Sequence, residues 1–327
     1  MALLLLDRAQ LDIKTEGDAL ALYEAGQRRG TVPIKLIDRC VIHGSQTRLD
    51  SGVLLKLAQA GATTVLMSPR SGQRVALVLG PQHNDAAVRL AQASRVLDDD
   101  YCRAWALNLV RAKLARQRRT LQQLLTQRPD ARKALFDALQ TLATIARNLS
   151  GPPPELDSLR GLEGAAARAH FAGLAGVFAP ALGFTGRNRR PPRDPVNACL
   201  SLGYTMLHTD AVQACARSGL DPLLGFYHRP AFGRESLASD LIEPLRAAID
   251  LWVWELWRSR TLREEHFTVD KGACLLGKAG RQYFYAQWES SHAPWQRWLR
   301  AQTQALARSL RAQGQPWLAN LEEDETC

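Results

Sequence analysis

The 327 residues are 46% hydrophobic and 23% charged, an ordinary globular composition in a chain long enough to bury one or two cores. Lys and Arg outnumber Asp and Glu by 42 to 32, and the resulting charge of +10 favours a polyanionic partner, of which nucleic acid is the commonest. No stretch approaches the roughly 20 apolar residues needed to cross a bilayer, which argues against a membrane partner.

From the start of the chain, Met1 to Leu6 is apolar but gives way to Asp7 and Arg8, too short for a secretory segment. The six cysteines, at 40, 102, 199, 215, 274 and 327, contain no CxxC pair, so a structural zinc is not expected and a cytoplasmic chain with reduced thiols is. Short apolar runs broken by Gly, Asp and Pro, namely Leu3 to Leu6, Val32 to Ile37, Cys40 to Ile42, Thr63 to Met67 and Val75 to Leu79, predict strands. One helix interrupts them, because Asp50 to Ala60 has helical apolar spacing, an acid at its start and Gly61 just beyond its end. From Asp85 to Leu149 Gly and Pro almost vanish, and the rest alternates helical patterns with loops such as GPPPELD and GFTGRNRRPPRDP. The expectation is an α+β protein, with a small β-rich domain over 1–84 and a larger all-α domain over 85–327.

Between Arg103 and Lys133 nine bases (Arg103, Arg111, Lys113, Arg116, Arg118, Arg119, Arg128, Arg132 and Lys133) face one acid, Asp130. A solvated helix face usually mixes signs, so the run suggests phosphate contacts, although a basic surface face or a subunit contact gives the same pattern. Arg187, Arg189, Arg190 and Arg193 form a second basic cluster in a loop. The segment GACLLGKA (Gly272 to Ala279) has phosphate-loop spacing, but Ala279 stands where a metal-binding hydroxyl is needed and no strand precedes it. It reads as a turn.

His228 differs from the other histidines, lying in GLDPLLGFYHRP ahead of a helix-like segment, SLASDLIEPLRAAIDLWVWELW, for which Ser236 is a cap candidate. Asp240 and Glu243 at i and i+3 share one face of that helix; a capping acid with an exposed Glu is the structural alternative. Glu163 sits in LRGLEGAAARAHF, where a lone acid among small residues is costly unless exposed, paired or metal-bound. Carboxylates with one imidazole suit Mg²⁺ or Mn²⁺.

Taken together, LRGLEGAAARAHF (159–171), NRRPPRDPVNACLSLGYTML (188–207), GLDPLLGFYH (219–228), SLASDLIEPLR (236–246) and CLLGKAGRQYFYAQWE (274–289) resemble, in order, the CRISPR-associated integrase family that captures new spacers. The resemblance implies a β domain before an α domain, and a divalent metal held by Glu163, His228 and Glu243, with Asp240 as the neighbouring acid and Tyr204 of the GYT motif as a candidate lining residue. It further implies a homodimer, bridged by a small second adaptation protein, that joins short double-stranded DNA to a repeat by attack of a 3′ hydroxyl. The DNA-holding candidates are Arg111, Arg116, Arg118, Arg119, Arg187, Arg189, Arg190 and Arg193. Two departures from the family pattern, His170 in place of an aromatic and PLRA in place of FRP, fall outside the proposed ligands. A plain metal-dependent nuclease or repair enzyme and a non-catalytic helical nucleic-acid-binding protein are the rival readings.

Overall fold

A computed structural model describes all residues except 1, 9, 44–45, 69–73, 81–82, 189–190 and 325–327. The chain forms two units, one made of residues 1–83 with 281–293 and the other of 84–280 with 294–327.

The first unit carries two four-stranded sheets. Strands β1 (Ala2–Leu6), β5 (Ile37–His43), β7 (Thr63–Met67) and β8 (Arg74–Val78) lie in the order β1-β5-β7-β8, with only β8 antiparallel to its neighbour. Strands β2 (Leu11–Glu16), β3 (Ala19–Glu24), β4 (Gln27–Pro33) and β6 (Arg48–Leu49) form the other, in the order β4-β3-β2-β6. Leu11, Ile13 and Leu20 face a shared core with Leu6, Ile37, Cys40 and Ile42 from the first sheet, closed by Val53 and Leu57 of helix α1 (Ser51–Gln59). That helix begins where the side chain of Asp50 accepts the Val53 amide at 3.0 Å and ends before Gly61 at φ +75°, as its flanking residues foretell. The β3–β4 hairpin turns through Ala25 and Gly26, both at positive φ, the conformation that suits the right-handed twist of a two-residue hairpin.

The second unit is mostly helical. Helices α2 (Ala86–Leu97), α3 (Asp99–Gln127), α4 (Arg132–Asn148), α5 (Leu156–Ala175) and α6 (Pro195–Arg217) are followed by α7 (Ser236–Ile242) and α8 (Arg246–Arg258). Asp85, Asp98 and Asp194 cap α2, α3 and α6 through side-chain bonds to the amides of Val88, Tyr101 and Asn197. The 29-residue α3 runs along α4, α5 and α8. Helices α4 and α5 approach closely because Gly173 leaves room, since a Cβ there would stand 2.9 Å from that of Ala138.

The run Val32 to Ile37, expected as one strand, divides between the end of β4, a 3₁₀ turn over Ile34–Leu36 and the start of β5, and in the second unit two further local features depart from the sequence reading. Residues 267–276 form a hairpin of β9 (Phe267–Asp270) and β10 (Ala273–Leu276), turning at Lys271 and Gly272 with positive φ, inside a region expected to be all helix. The GACLLGKA segment therefore runs from turn to strand, then through Gly277 into α9 (Lys278–Ser291), which α10 (Ala293–Asp324) follows. The helix expected from Ser236 onward breaks at Pro244, which lacks an amide and forces a single 3₁₀ turn over Glu243–Leu245. Ser236 is the first helical residue rather than the cap, its hydroxyl donating to Arg229 O at 3.1 Å.

Candidate active site

Three helices and one loop bring the predicted acids together. Glu163 lies midway along α5, Glu243 at the break between α7 and α8, and Lys113 on α3 between them. The Lys113 ammonium is hydrogen-bonded to Glu163 Oε1 and, at 2.5 Å, to Glu243 Oε2, with only 10% of its side chain exposed. Both carboxylates thus converge on one cationic point. The other Glu243 oxygen, Oε1, accepts from Arg246 Nε at 2.8 Å. Burial alone would push the Glu243 carboxyl up, but Arg246 and Lys113, with a further contribution from His228, outweigh it and hold the group well below its ordinary range. Burial likewise disfavours the charged Lys113, yet the two glutamates reverse that and raise it.

The loop that carries His228 is organised by Asp240. Fully buried, Asp240 accepts the backbone amides of Phe226 (2.8 Å), Tyr227 (3.0 Å) and His228 (2.8 Å), and meets His228 Nδ1 at 2.7 Å. Burial pushes its carboxyl up, with the His228 ring and these amides pulling the other way. An imidazole that donates through Nδ1 keeps its lone pair on Nε2. The loop is held from behind by Gln92 of α2, which bonds Asp221 O (2.8 Å), Leu224 O (2.9 Å) and the Asp221 amide (2.9 Å), and by Phe226 wedged between Tyr101 and Trp105 of α3. Gly225 allows the close pass over α7, since a Cβ there would lie 2.6 Å from Ser236 C. The i, i+3 spacing of Asp240 and Glu243 therefore does not make a carboxylate pair: one acid folds the loop, the other joins Glu163.

Behind Glu243 a buried polar chain continues. Arg246 lies over the Tyr204 ring at 4.6 Å; the Tyr204 hydroxyl donates to Asp250 Oδ1, and Asp250 Oδ2 meets His170 Nε2 at 2.8 Å. Burial and Asp250 hold the Tyr204 phenol well above its ordinary range, so it stays protonated and donates. Tyr204 thus supports Arg246 from beneath. His170, the departure noted in the sequence, belongs to this chain, with only 1% of its surface exposed.

The arginine candidates separate. Arg111 is engaged at the end of α4, donating to Leu149 O (2.8 Å from Nε) and Gly151 O (3.0 Å). Arg116 lies over Trp298 at 5.9 Å, Arg118 is half-buried and Arg119 is exposed. Arg187 bonds Asn197 Oδ1 (2.8 Å) and Ser201 Oγ (3.0 Å), which fixes the loop before α6, whereas Arg193 is exposed. Arg189 and Arg190 lie outside the described residues. Lys113, which the sequence pattern groups with the phosphate-facing bases, turns inward instead. The signal for this is its place beside Leu114 in the apolar register of α3, but its acidic partners lie 50 and 130 residues away.

Among the described residues no three His, Cys, Asp or Glu side chains form a ready-made metal cluster, and no helix is long and apolar enough to cross a membrane. The donor set nonetheless fits a hard divalent ion, because an ammonium already bridges the Glu163 and Glu243 carboxylates at hydrogen-bond distance.

A mixed α+β chain, with strands first, helices after and two glutamates converging on one ammonium, defines the class, and known proteins place the chain in it. Solved structures of the same fold include a casposase bound to its integration product (TM-score 0.82, 21% identity, 96% of this chain and 91% of that one) and a Cas6-RT-Cas1–Cas2 complex (TM-score 0.78, 22% identity, 95% and 35%). A CRISPR-associated endonuclease Cas1 of Thermodesulfovibrio yellowstonii is 34% identical over 316 residues, covering 95% of this chain and 97% of the relative. The family described as CRISPR associated protein Cas1 matches residues 4–290, and the chain belongs to that family.

Proposed function

We propose that this protein is a metal-dependent DNA integrase and endonuclease of CRISPR adaptation, whose site is built by Glu163, Glu243 and His228. The observation that carries this reading is the single ammonium shared by the buried Glu243 and the partly buried Glu163, beside a histidine whose loop is pinned by a third acid.

In this reading Glu163, Glu243 and the His228 Nε2 would hold Mg²⁺ or Mn²⁺, which supplies Lewis acidity toward a phosphate oxygen when bound. Lys113 is then freed to face the phosphate, where its charge offsets negative charge building in the transition state. Asp240 keeps the His228 ring oriented through Nδ1, which leaves the Nε2 lone pair for the metal; in the alternative in which His228 is not a ligand, the ring would instead pass a proton to a leaving 3′ oxygen. Arg246, backed by Tyr204, holds Glu243 ionised and aimed. The attacking group is a DNA 3′ hydroxyl for joining or water for cleavage. The reaction is a phosphodiester transesterification in the first case and a hydrolysis in the second.

Two strand transfers at separated phosphates require two sites, so a homodimer is the minimal assembly, with a small second adaptation protein bridging the copies. A complex of a structural neighbour that pairs Cas1 with Cas2 supports that partner. The test is transfer of a fluorescent short duplex into a supercoiled repeat plasmid, with the second adaptation protein and Mn²⁺ or Mg²⁺. Joining in the wild type and its loss in Glu163→Ala, His228→Ala and Glu243→Ala is the expected result. Degradation without joined product would leave the plain nuclease, and metal-independent binding without chemistry would leave the helical nucleic-acid-binding protein.

A further inference from the structure

On α3 the positions 113, 117 and 120 are spaced by four and three residues, so they line one face of the helix. The outer two are committed to the stretch that carries Glu243: Lys113 donates to the Glu243 carboxylate at 2.5 Å, and Thr120 Oγ1 donates to Ala247 O at 3.2 Å. Helix α5 keeps pace on the other side, with Glu163 bonded to Lys113 and Gly173 lying against Leu121. Gln117 stands between these contacts, where α3 meets α5 and α8, with 3% of its surface exposed. Its amide oxygen Oε1 is buried and accepts no hydrogen bond from any described residue. An oxygen buried without a donor destabilises the fold, and an apolar side chain of the same length would avoid that cost.

The cost has a counterpart at the metal site. When Glu163 and Glu243 give their oxygens to a divalent ion, the Lys113 ammonium loses both acceptors and is repelled by the charge of the ion. With only 10% of its side chain exposed, Lys113 has little water to turn to and needs another acceptor. Of the α3 side chains three and four residues away, Leu109, Val110 and Arg116 offer none, and Gln117 does. Helical side chains lean toward the N-terminus, so Gln117 leans over the turn that carries Lys113, with Cβ atoms about 5–6 Å apart. We propose that Gln117 is a positioning residue whose Oε1 receives the Lys113 ammonium once the glutamates have taken up the metal, holding it beside the site with its remaining N–H groups free for the phosphate. The inference rests on the metal-dependent reading above and adds to it a second station for Lys113.

The test measures Mn²⁺ binding by the full chain, from the electron paramagnetic resonance signal of the free ion, together with thermal melts in chelator and in Mn²⁺. Gln117→Met keeps the length and loses the acceptor; Gln117→Leu takes its place should the first variant fail to fold. The melting temperature in chelator is expected to hold or rise, because the change removes an unsatisfied buried oxygen. Mn²⁺ affinity is expected to fall roughly ten- to a hundredfold, the worth of a hydrogen bond to a charged group. In a Lys113→Met background, which has no ammonium to receive, the same substitution leaves Mn²⁺ affinity where it was. Wild-type affinity in Gln117→Met overturns the inference while leaving the metal site intact. A melting temperature that falls as far in chelator as in Mn²⁺ also overturns it, since that marks a residue that only packs. So does an equal loss of affinity with and without Lys113, which would have Gln117 acting on the ion itself. Failure of the wild type to bind Mn²⁺ removes the metal-dependent reading and this inference together.

Discussion

Lys113 ties two carboxylates that would otherwise repel across a small gap. Removing one partner of a buried ionic contact costs about 3–5 kcal/mol, so Lys113→Met lowers the melting temperature sharply in chelator. Mn²⁺, free to take the vacated position, restores more stability to this variant than it adds to the wild type, as thermal melts with and without metal would show. Glu243 also titrates with consequence. Its carboxyl is held below its ordinary value of 4.5, so the stability it contributes is complete above that value and is lost as pH falls through the lowered native one. Melting temperature therefore drops more steeply below about pH 4.5 in the wild type than in Glu243→Gln, where no proton is taken up at this position. Equal slopes would mean that the carboxylate is not gripped as described.

At the scale of elements, the His228 loop depends on a backbone pass that only glycine permits. In Gly225→Ala the new methyl meets Ser236 C, His228 O and Leu237 N at 2.6 to 2.8 Å, all of them backbone, so the loop must shift and the protein loses about 1–3 kcal/mol. Urea denaturation gives the cost, and the loss of metal-dependent joining should exceed what reduced folding explains. Much of this level is legible in the residues: α1 with its Asp50 cap and Gly61 stop, and the first acid on a helix of small residues. Strands β2 and β3 are not, because LDIKTE and ALALYE alternate faces instead of forming the continuous apolar runs that mark the other strands. The break at Pro244 is also hidden, since the flanking apolar periodicity continues across it. Asp240 and Glu243 stand out as residues, but their spacing suggests a pair on one helical face, and local periodicity cannot show a carboxylate turning back to three loop amides.

Over the whole molecule, a charge of +10 draws DNA without choosing its sequence. Arg119 and Arg193, both exposed, are the phosphate-binding candidates to test, and replacing either with Ala should lower the slope of log affinity against log salt by about 0.9 for each phosphate no longer neutralised. Arg111, committed to the end of α4, should change stability more than that slope. The first unit also has an unusual order of completion. Residues 281–293 belong to it, and Arg281 reaches Asp7 at 2.9 Å, so its final segment leaves the ribosome only after nearly all of the second unit has been made. At about 5–20 residues per second the intervening 197 residues take about 10 to 40 s, a window in which the nascent strands wait for their last helix and stay open to chaperones and proteases.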